Sequence, residues 1–243
     1  MTDSPIPANV VAHSAEFIGA LAEWERNLPA ITWNDVIADV PLEHVALFSV
    51  DMINGFCHQG SLASPRIKAI IPQVVEVFND AYAVGVRNFV LAQDSHTPDA
   101  VEFACFPPHC QQGSAESQAI PELAALPFAN LYQIVPKNSL DAFYGTHMRG
   151  WLDEHHDLHT AVVVGNCTDL CVYQMAMHLK LYANAYNLKW RVIIPANSVQ
   201  TYDTPLETAR SLGLLPHNGD VLHLLFLYHL CLNGVEIVHS LSR

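Results

Sequence analysis

Six short apolar runs recur along the chain with helical stretches between them, and this alternation constrains the fold more than any other feature. They are "VALFSV" (45–50), "VRNFVLAQ" (86–93), "NLYQIV" (130–135), "TAVVVG" (160–165), "WRVIIPA" (190–196) and "VEIVHS" (235–240). Each has the length and the β-branched content of a strand. They are apolar on both faces instead of alternating, the pattern of strands buried between two helical layers. Between them lie amphipathic segments at 66–85, closed by Gly85, and at 168–187, 204–213 and 218–230. Pro72 falls in the first of these, either in its opening turns or at a kink. The expected fold is α/β: three layers, α-β-α, around a mostly parallel six-stranded sheet. Residues 1–44 form an N-terminal helical extension, with Phe17, Leu21 and Trp24 at helical spacing, and residues 45–243 form the main domain. The G-x-G-x-x-G and P-loop patterns do not occur.

Composition narrows the function classes. Hydrophobic residues make up 51% of the chain, ample for a core of this kind. The net charge is −13, with only 11 Lys and Arg and no basic run, so nucleic acid and anionic membranes are excluded as expected partners. The opening "MTDSPIPANVVAHSAEF" lacks the basic start and apolar core of a secretory signal. The most apolar stretch, 221–234, falls short of the ~20 residues of a spanning helix and carries His223 and His229. Six cysteines are scattered through the chain, which favours free thiols and a cytoplasmic location.

In parallel sheets, ligands bind at the carboxyl ends of strands. A chemically capable residue stands past each of four runs: Asp51, Asp94 with His96, Lys137, and Cys171. Cys167 and Cys171 admit several readings: core filler, disulfide, metal pair, or a nucleophile and its neighbour. No second Cys or His pair lies nearby at zinc spacing. Thr168 or Asp169 can cap the helix that follows, which puts Cys171 in its first turn. There the helix terminus and Lys137 would lower the thiol pKa, and Asp51 could take its proton. Cys167, nearer the strand, reads as inert. The stretch 93–110 is a second constellation: Asp94, His96 and His109, with Glu102 between them, can form a divalent-metal shell or an exposed turn. His58 follows the Asp51 loop and is a candidate to line the site. The other histidines, among them His155, His156, His159, His178, His217, His223 and His229, read as surface or satisfied core residues.

Four stretches together, "VDMINGFC" (50–57), "DSH…FPPHC" (94–110), "PKNSLDAFYGT" (136–146) and "VVVGNCTDLCV" (162–172), resemble the isochorismatase-like cysteine hydrolase superfamily. Within it they look like nicotinamidases, the plant-type ones especially. The resemblance runs in order from about residue 45 to 240 and leaves the N-terminal extension outside.

The resemblance implies hydrolysis of nicotinamide to nicotinic acid and ammonia through a cysteine thioester, in a cytoplasmic enzyme of pyridine nucleotide salvage. Asp51, Lys137 and Cys171 match the triad, and the backbone N–H groups of Cys167 and Cys171 match the oxyanion hole. Asp94, His96 and His109 match ligands of one divalent metal, with zinc, iron or manganese as candidates and zinc the first choice. Phe56 and Phe106 match the aromatics that sandwich the pyridine ring, and Tyr144 a substrate-side position. A cis peptide is implied at Asn166–Cys167. A homo-oligomer is expected. Two departures stand out: Ala100 occupies the place of a third metal histidine, and Phe106 replaces a tryptophan common in some relatives. Glu102 matches a branch that uses glutamate as the further ligand. The rivals are another amide hydrolase of the superfamily, of carbamoyl-sarcosine or ureidoacrylate type, and a non-catalytic binding protein on this fold.

Overall fold

The computed structural model describes residues 8–243, so the first seven residues of the expected extension lie outside it. In chain order come α1 (Ala8–Arg26), β1 (Ala30–Thr32), α2 (Trp33–Ile37), β2 (Val45–Val50), α3 (Asn54–Cys57), α4 (Pro65–Ala69), α5 (Ile71–Val84) and β3 (Asn88–Asp94). Then follow α6 (Pro121–Ala124), β4 (Tyr132–Lys137), α7 (Met148–Glu154), β5 (Thr160–Asn166), α8 (Cys171–Ala185) and β6 (Arg191–Pro195). The chain finishes with β7 (Val199–Gln200), α9 (Leu206–Leu212), α10 (Gly219–Leu232), β8 (Glu236–Val238) and β9 (Ser240–Ser242).

The six expected strands form one sheet in the order β4-β3-β2-β5-β6-β8, every pairing parallel. A seventh strand, the two-residue β7, pairs with the end of β5 and was not expected, because two residues carry no periodicity. β2 is buried at all six positions, as a central strand covered on both faces must be. One face packs Phe48, Val90 and Val163 against Trp151, Leu179 and Leu227 of α7, α8 and α10. The other packs Leu47, Phe89 and Val162 against Val74 and Phe78 of α5.

Three details differ from the sequence reading. The helix expected at 66–85 is two helices, α4 and α5, that meet at Ile70; Pro72 lies in the first turn of α5, where its missing N–H leaves no bond unmade. The last run splits after Val238: β8 stays in the main sheet, and β9 pairs instead with β1. The segment before residue 45 also does more than flank. Trp33 and Val36 are fully buried in the α5-side core, and Trp24 sets its ring edge-on to Tyr228 of α10 at 5.3 Å. Among the described residues, no helix is long and apolar enough to cross a membrane.

The strand order explains where a site can form. From β2 the chain builds outward through β3 to β4, and from β5 outward through β6 to β8. The direction reverses between β2 and β5, which opens a crevice at their carboxyl ends. Asp51 follows β2, and the loop 167–170 follows β5.

Candidate active site

Asp51, Lys137 and Cys171, carried by three separate elements, meet in the interior. Asp51 is fully buried, and Lys137 and Cys171 expose only 1% and 5% of their surface, so the chemistry is screened from water. The Lys137 ammonium lies 2.8 Å from Asp51 Oδ2, also touches Asp94 Oδ1, and donates to Cys171 Sγ at 3.5 Å. The Asp51 Oδ2 contact is an ion pair without hydrogen-bond alignment, which leaves that oxygen free to accept another proton. Asp51 Oδ1 accepts from the Asp94 backbone N–H at 2.8 Å. Asn166 donates to the Asp51 carbonyl at 2.6 Å, tying the end of β5 to the end of β2.

Gly165 permits this closeness. A Cβ at that position would lie 2.1 Å from the Val50 carbonyl oxygen, and its φ of +116° suits glycine. The next peptide, Asn166–Cys167, is cis, as the resemblance implies. Cys171 is the first residue of α8, but neither Thr168 nor Asp169 caps that helix. Thr168 Oγ1 is spent on His223 and Asp169 on His217, so the capping expectation is corrected. Among the described residues, no acceptor is found for the backbone N–H of Cys167 or of Cys171. Both cysteines are free thiols.

The electrostatics also correct one expectation. Burial, with the Asp94 charge, pushes Asp51 up to about 6 against the opposing pull of Lys137. Burial pushes the Cys171 thiol well above its usual range; Lys137 pulls it down but is outweighed. The sequence reading had the helix terminus and Lys137 lowering the thiol pKa; Lys137 does pull it down, but burial outweighs that pull. Burial acts to strip Lys137 of its proton, yet the Asp51 and Asp94 carboxylates outweigh it and hold the ammonium well above its ordinary value. Burial would also raise Asp94, but Lys137, His109 and His96 keep that carboxyl well below the usual carboxylate range.

Beside the triad, Asp94, His96 and His109 converge. The two Nε2 atoms lie 3.2 Å apart, and Asp94 Oδ2 stands 3.4 Å from one and 3.5 Å from the other. The other ring nitrogens settle the tautomers. His109 Nδ1 faces the Pro107 carbonyl at 2.8 Å, which can only accept. His96 Nδ1 faces Asn138 Oδ1 at 3.2 Å, an oxygen that already accepts from the Thr97 N–H at 3.0 Å. Both Nδ1 atoms therefore donate, and both Nε2 lone pairs point with a carboxylate oxygen at one spot. Three groups that converge in this way could hold a cation between them. Two nitrogens bound to one zinc at ~2.1 Å each in near-tetrahedral array would lie ~3.2–3.4 Å apart, so the spacing fits. Glu102 Oε1 approaches His96 Nε2 to 3.9 Å and is buried without a hydrogen-bond partner, as a further ligand oxygen would be. Asp94 joins the two groups, with one oxygen on Lys137 and the other toward the histidines.

Phe56 and Phe106 both pack on His109, with ring centroids at 5.7 and 6.3 Å. Tyr144 is 71% exposed and sets its ring edge-on to His178 at 6.2 Å. His58 pairs with Glu122 at 3.1 Å and does not turn to the triad. Sequence reasoning missed Phe103, whose ring packs edge-on against both His96 and His109 at 5.4 and 5.7 Å. It also missed Asn138, which adjoins Lys137, and the side-chain contact of Asn166, named only for its peptide bond.

The chain matches the isochorismatase domain family over residues 45–221. It is 30% identical to nicotinamidase 1 of Arabidopsis thaliana over 217 residues, which cover 82% of this chain and 86% of that protein. Two solved structures share the fold. One is the pyrazinamidase/nicotinamidase of Streptococcus mutans UA159, with TM-score 0.60 and 23% identity over 80% of this chain and 99% of that one. The other is the N-carbamoylsarcosine amidase of Thermoplasma acidophilum, with TM-score 0.60 and 23% identity over 81% of this chain and 96% of that one. With the Gly165-to-Cys171 loop, the parallel sheet and these matches together, the chain belongs to the isochorismatase family.

Proposed function

We propose that this chain is a nicotinamidase, in which Cys171 cleaves the carboxamide of nicotinamide. The observation that carries the reading is the adjacency of two groups: a buried Asp51–Lys137–Cys171 triad and a convergent Asp94–His96–His109 acceptor set joined to it through Asp94. The first suits amide cleavage. The second suits a divalent cation that binds a heteroaromatic nitrogen.

Cys171 starts as a thiol. Asp51, with its pKa raised toward neutrality, takes the Sγ proton as sulfur attacks the carboxamide carbon. The carbonyl oxygen becomes an oxyanion between the unpartnered N–H groups of Cys167 and Cys171. Asp51 then gives its proton to the nitrogen, the C–N bond breaks and ammonia leaves. A water, losing a proton to Asp51, attacks the thioester; nicotinic acid departs and the sulfur recovers a proton. Lys137 balances the charge that passes between Asp51 and sulfur.

Asp94, His96, His109 and Glu102 would hold zinc, iron or manganese, which when bound supplies a grip on the pyridine nitrogen that orients the substrate. Phe56 and Phe106 would flank the ring, and Tyr144 would stand at the outer rim of the entrance. Ammonia release from nicotinamide, N-carbamoylsarcosine and ureidoacrylate, measured side by side, tests the reading. Nicotinamide should be the fastest by kcat/KM, and a carbamoyl substrate outpacing it would replace this reading with that of a different amide hydrolase.

A further inference from the structure

The loop that carries Cys167 and Cys171 is gripped from behind by two histidines of the C-terminal third of the chain. Asp169 Oδ2 meets His217 Nε2 at 2.7 Å, and Thr168 Oγ1 meets His223 Nδ1 at 2.8 Å. The two grips differ in kind. His217 Nδ1 faces the Tyr202 carbonyl at 3.0 Å, and its Nε2 faces a carboxylate. Nε2 donates to the Asp169 carboxylate, and the Tyr202 carbonyl faces the other ring nitrogen. Burial would raise Asp169, yet its contacts with His217 and Thr201 together outweigh it and the carboxyl lies below its ordinary value. His217 is itself held in place: Tyr202 stacks on its ring at 3.8 Å, and its backbone exchanges two hydrogen bonds with Thr204, at 2.7 and 3.0 Å. Asp169 is 7% exposed and His217 9%, so the pair is shielded from water, where a charge-assisted bond is strong.

The position of this pair gives it a consequence. Asp169 lies between the two residues whose N–H groups have no acceptor. Within the loop the Cys167 carbonyl accepts from the Leu170 and Val172 N–H groups at 3.0 Å each, and the contacts of Thr168 and Asp169 fix the loop on the rest of the chain. Besides Asp169, the Thr168 hydroxyl and the Thr168 N–H, which donates to the Gln200 carbonyl at 3.1 Å, anchor it. We propose that His217 is a positioning residue: through its hydrogen bond with Asp169 it holds the 167–171 loop so that both amides face the oxygen of the tetrahedral intermediate. This role rests on the amidase reading above. It should act where charge develops, on kcat, and spare the binding of the neutral amide.

The experiment compares His217→Ala, Asp169→Asn and the double variant with the wild-type chain, all metal-loaded. Three quantities are read: kcat and KM for nicotinamide, and the affinity for pyridine-3-carbaldehyde. That aldehyde accepts the Cys171 sulfur at its carbonyl carbon while Asp51 takes the Sγ proton, and its oxygen, left negative, occupies the place of the substrate oxyanion. Each single variant should lose about tenfold or more in kcat, keep KM within about threefold, and lose aldehyde affinity in step with kcat. The double variant should lose no more than the worse single one, as two members of one unit do. A kcat within twofold of wild type, a loss confined to KM, unchanged aldehyde affinity, or additive losses would each overturn the proposal. If His217→Ala does not fold, Asp169→Asn, which preserves shape, decides by the same criteria. A wild-type chain that releases no ammonia from nicotinamide would instead overturn the substrate reading, and the aldehyde adduct, which forms without breaking a C–N bond, would still decide the role of His217.

Discussion

His96 and His109 bring their Nε2 atoms to 3.2 Å, and each ring turns its Nδ1 to an acceptor behind it, Asn138 Oδ1 and the Pro107 carbonyl. Asp94 Oδ2 completes the convergence, and the buried, unpartnered Glu102 Oε1 lies 3.9 Å from His96 Nε2. A second carboxylate strengthens the hold on a divalent cation. Glu102→Ala should lower metal affinity by about tenfold or more, read as retention against a graded chelator. Glu102→His, which replaces one ligand type with another, should restore part of it. Unchanged retention in Glu102→Ala would place the residue outside the shell and leave Asp94, His96 and His109 as the protein ligands.

Metal removal should discriminate between substrates. Nicotinamide offers a ring nitrogen for the cation to hold and benzamide does not. Stripping the metal should therefore lower kcat/KM for nicotinamide by a larger factor than for benzamide, measured as ammonia release before and after chelation and again after metal is restored. Equal losses for both would contradict a grip on the ring nitrogen.

The grip of His223 on Thr168 has a thermal and pH signature. Burial, and the nearby Arg66 charge, push His223 down from 6.5 to about 4, against weaker opposing pulls from Asp169 and Asp220. A depressed folded pKa means stability that is complete above the unfolded value and lost as pH falls toward the folded one. The window is therefore pH 6.5 down to about 4, and the full effect is on the order of 3 kcal/mol. Urea unfolding of the wild type and of His223→Gln at pH 7 and pH 4.5 checks it. The wild type should lose more stability over this interval than the variant, and equal losses would mean that His223 does not titrate there.

How much of this was legible in the sequence follows from the range of the interactions. The strand ends were legible because the central strands, buried on both faces, read as continuous apolar runs closed by a polar residue, Asp51 after Val50 and Asp94 after Gln93; Lys137 closes its run in the same way, although β4 is an edge strand exposed at Gln133, Ile134 and Pro136. The metal-type cluster was legible through its short D-x-H spacing. Phe103 was not, since an aromatic on a short turn has no periodicity to mark it. The His217–Asp169 and His223–Thr168 pairs span 48 and 55 residues, and the register of α9 and α10 against the β5–α8 loop is set by tertiary packing. The same packing overrode the local expectation that Thr168 or Asp169 caps α8, because both side chains had stronger partners outside the helix. The thiol pKa failed for a similar reason: a helix terminus can be read from sequence, but the depth of burial that outweighs it cannot.

The central claim is that Cys171 carries the acyl group. Its test is to quench the enzyme during turnover of nicotinamide and map the mass of the cysteine-bearing peptides. The account predicts a nicotinoyl thioester on Cys171, no adduct and no nicotinic acid with Cys171→Ala in a chain that still folds and holds metal, and a mild effect of Cys167→Ala, which keeps the backbone N–H that the reaction uses. Turnover that survives in Cys171→Ala, or an adduct on Cys167 in its place, would contradict it.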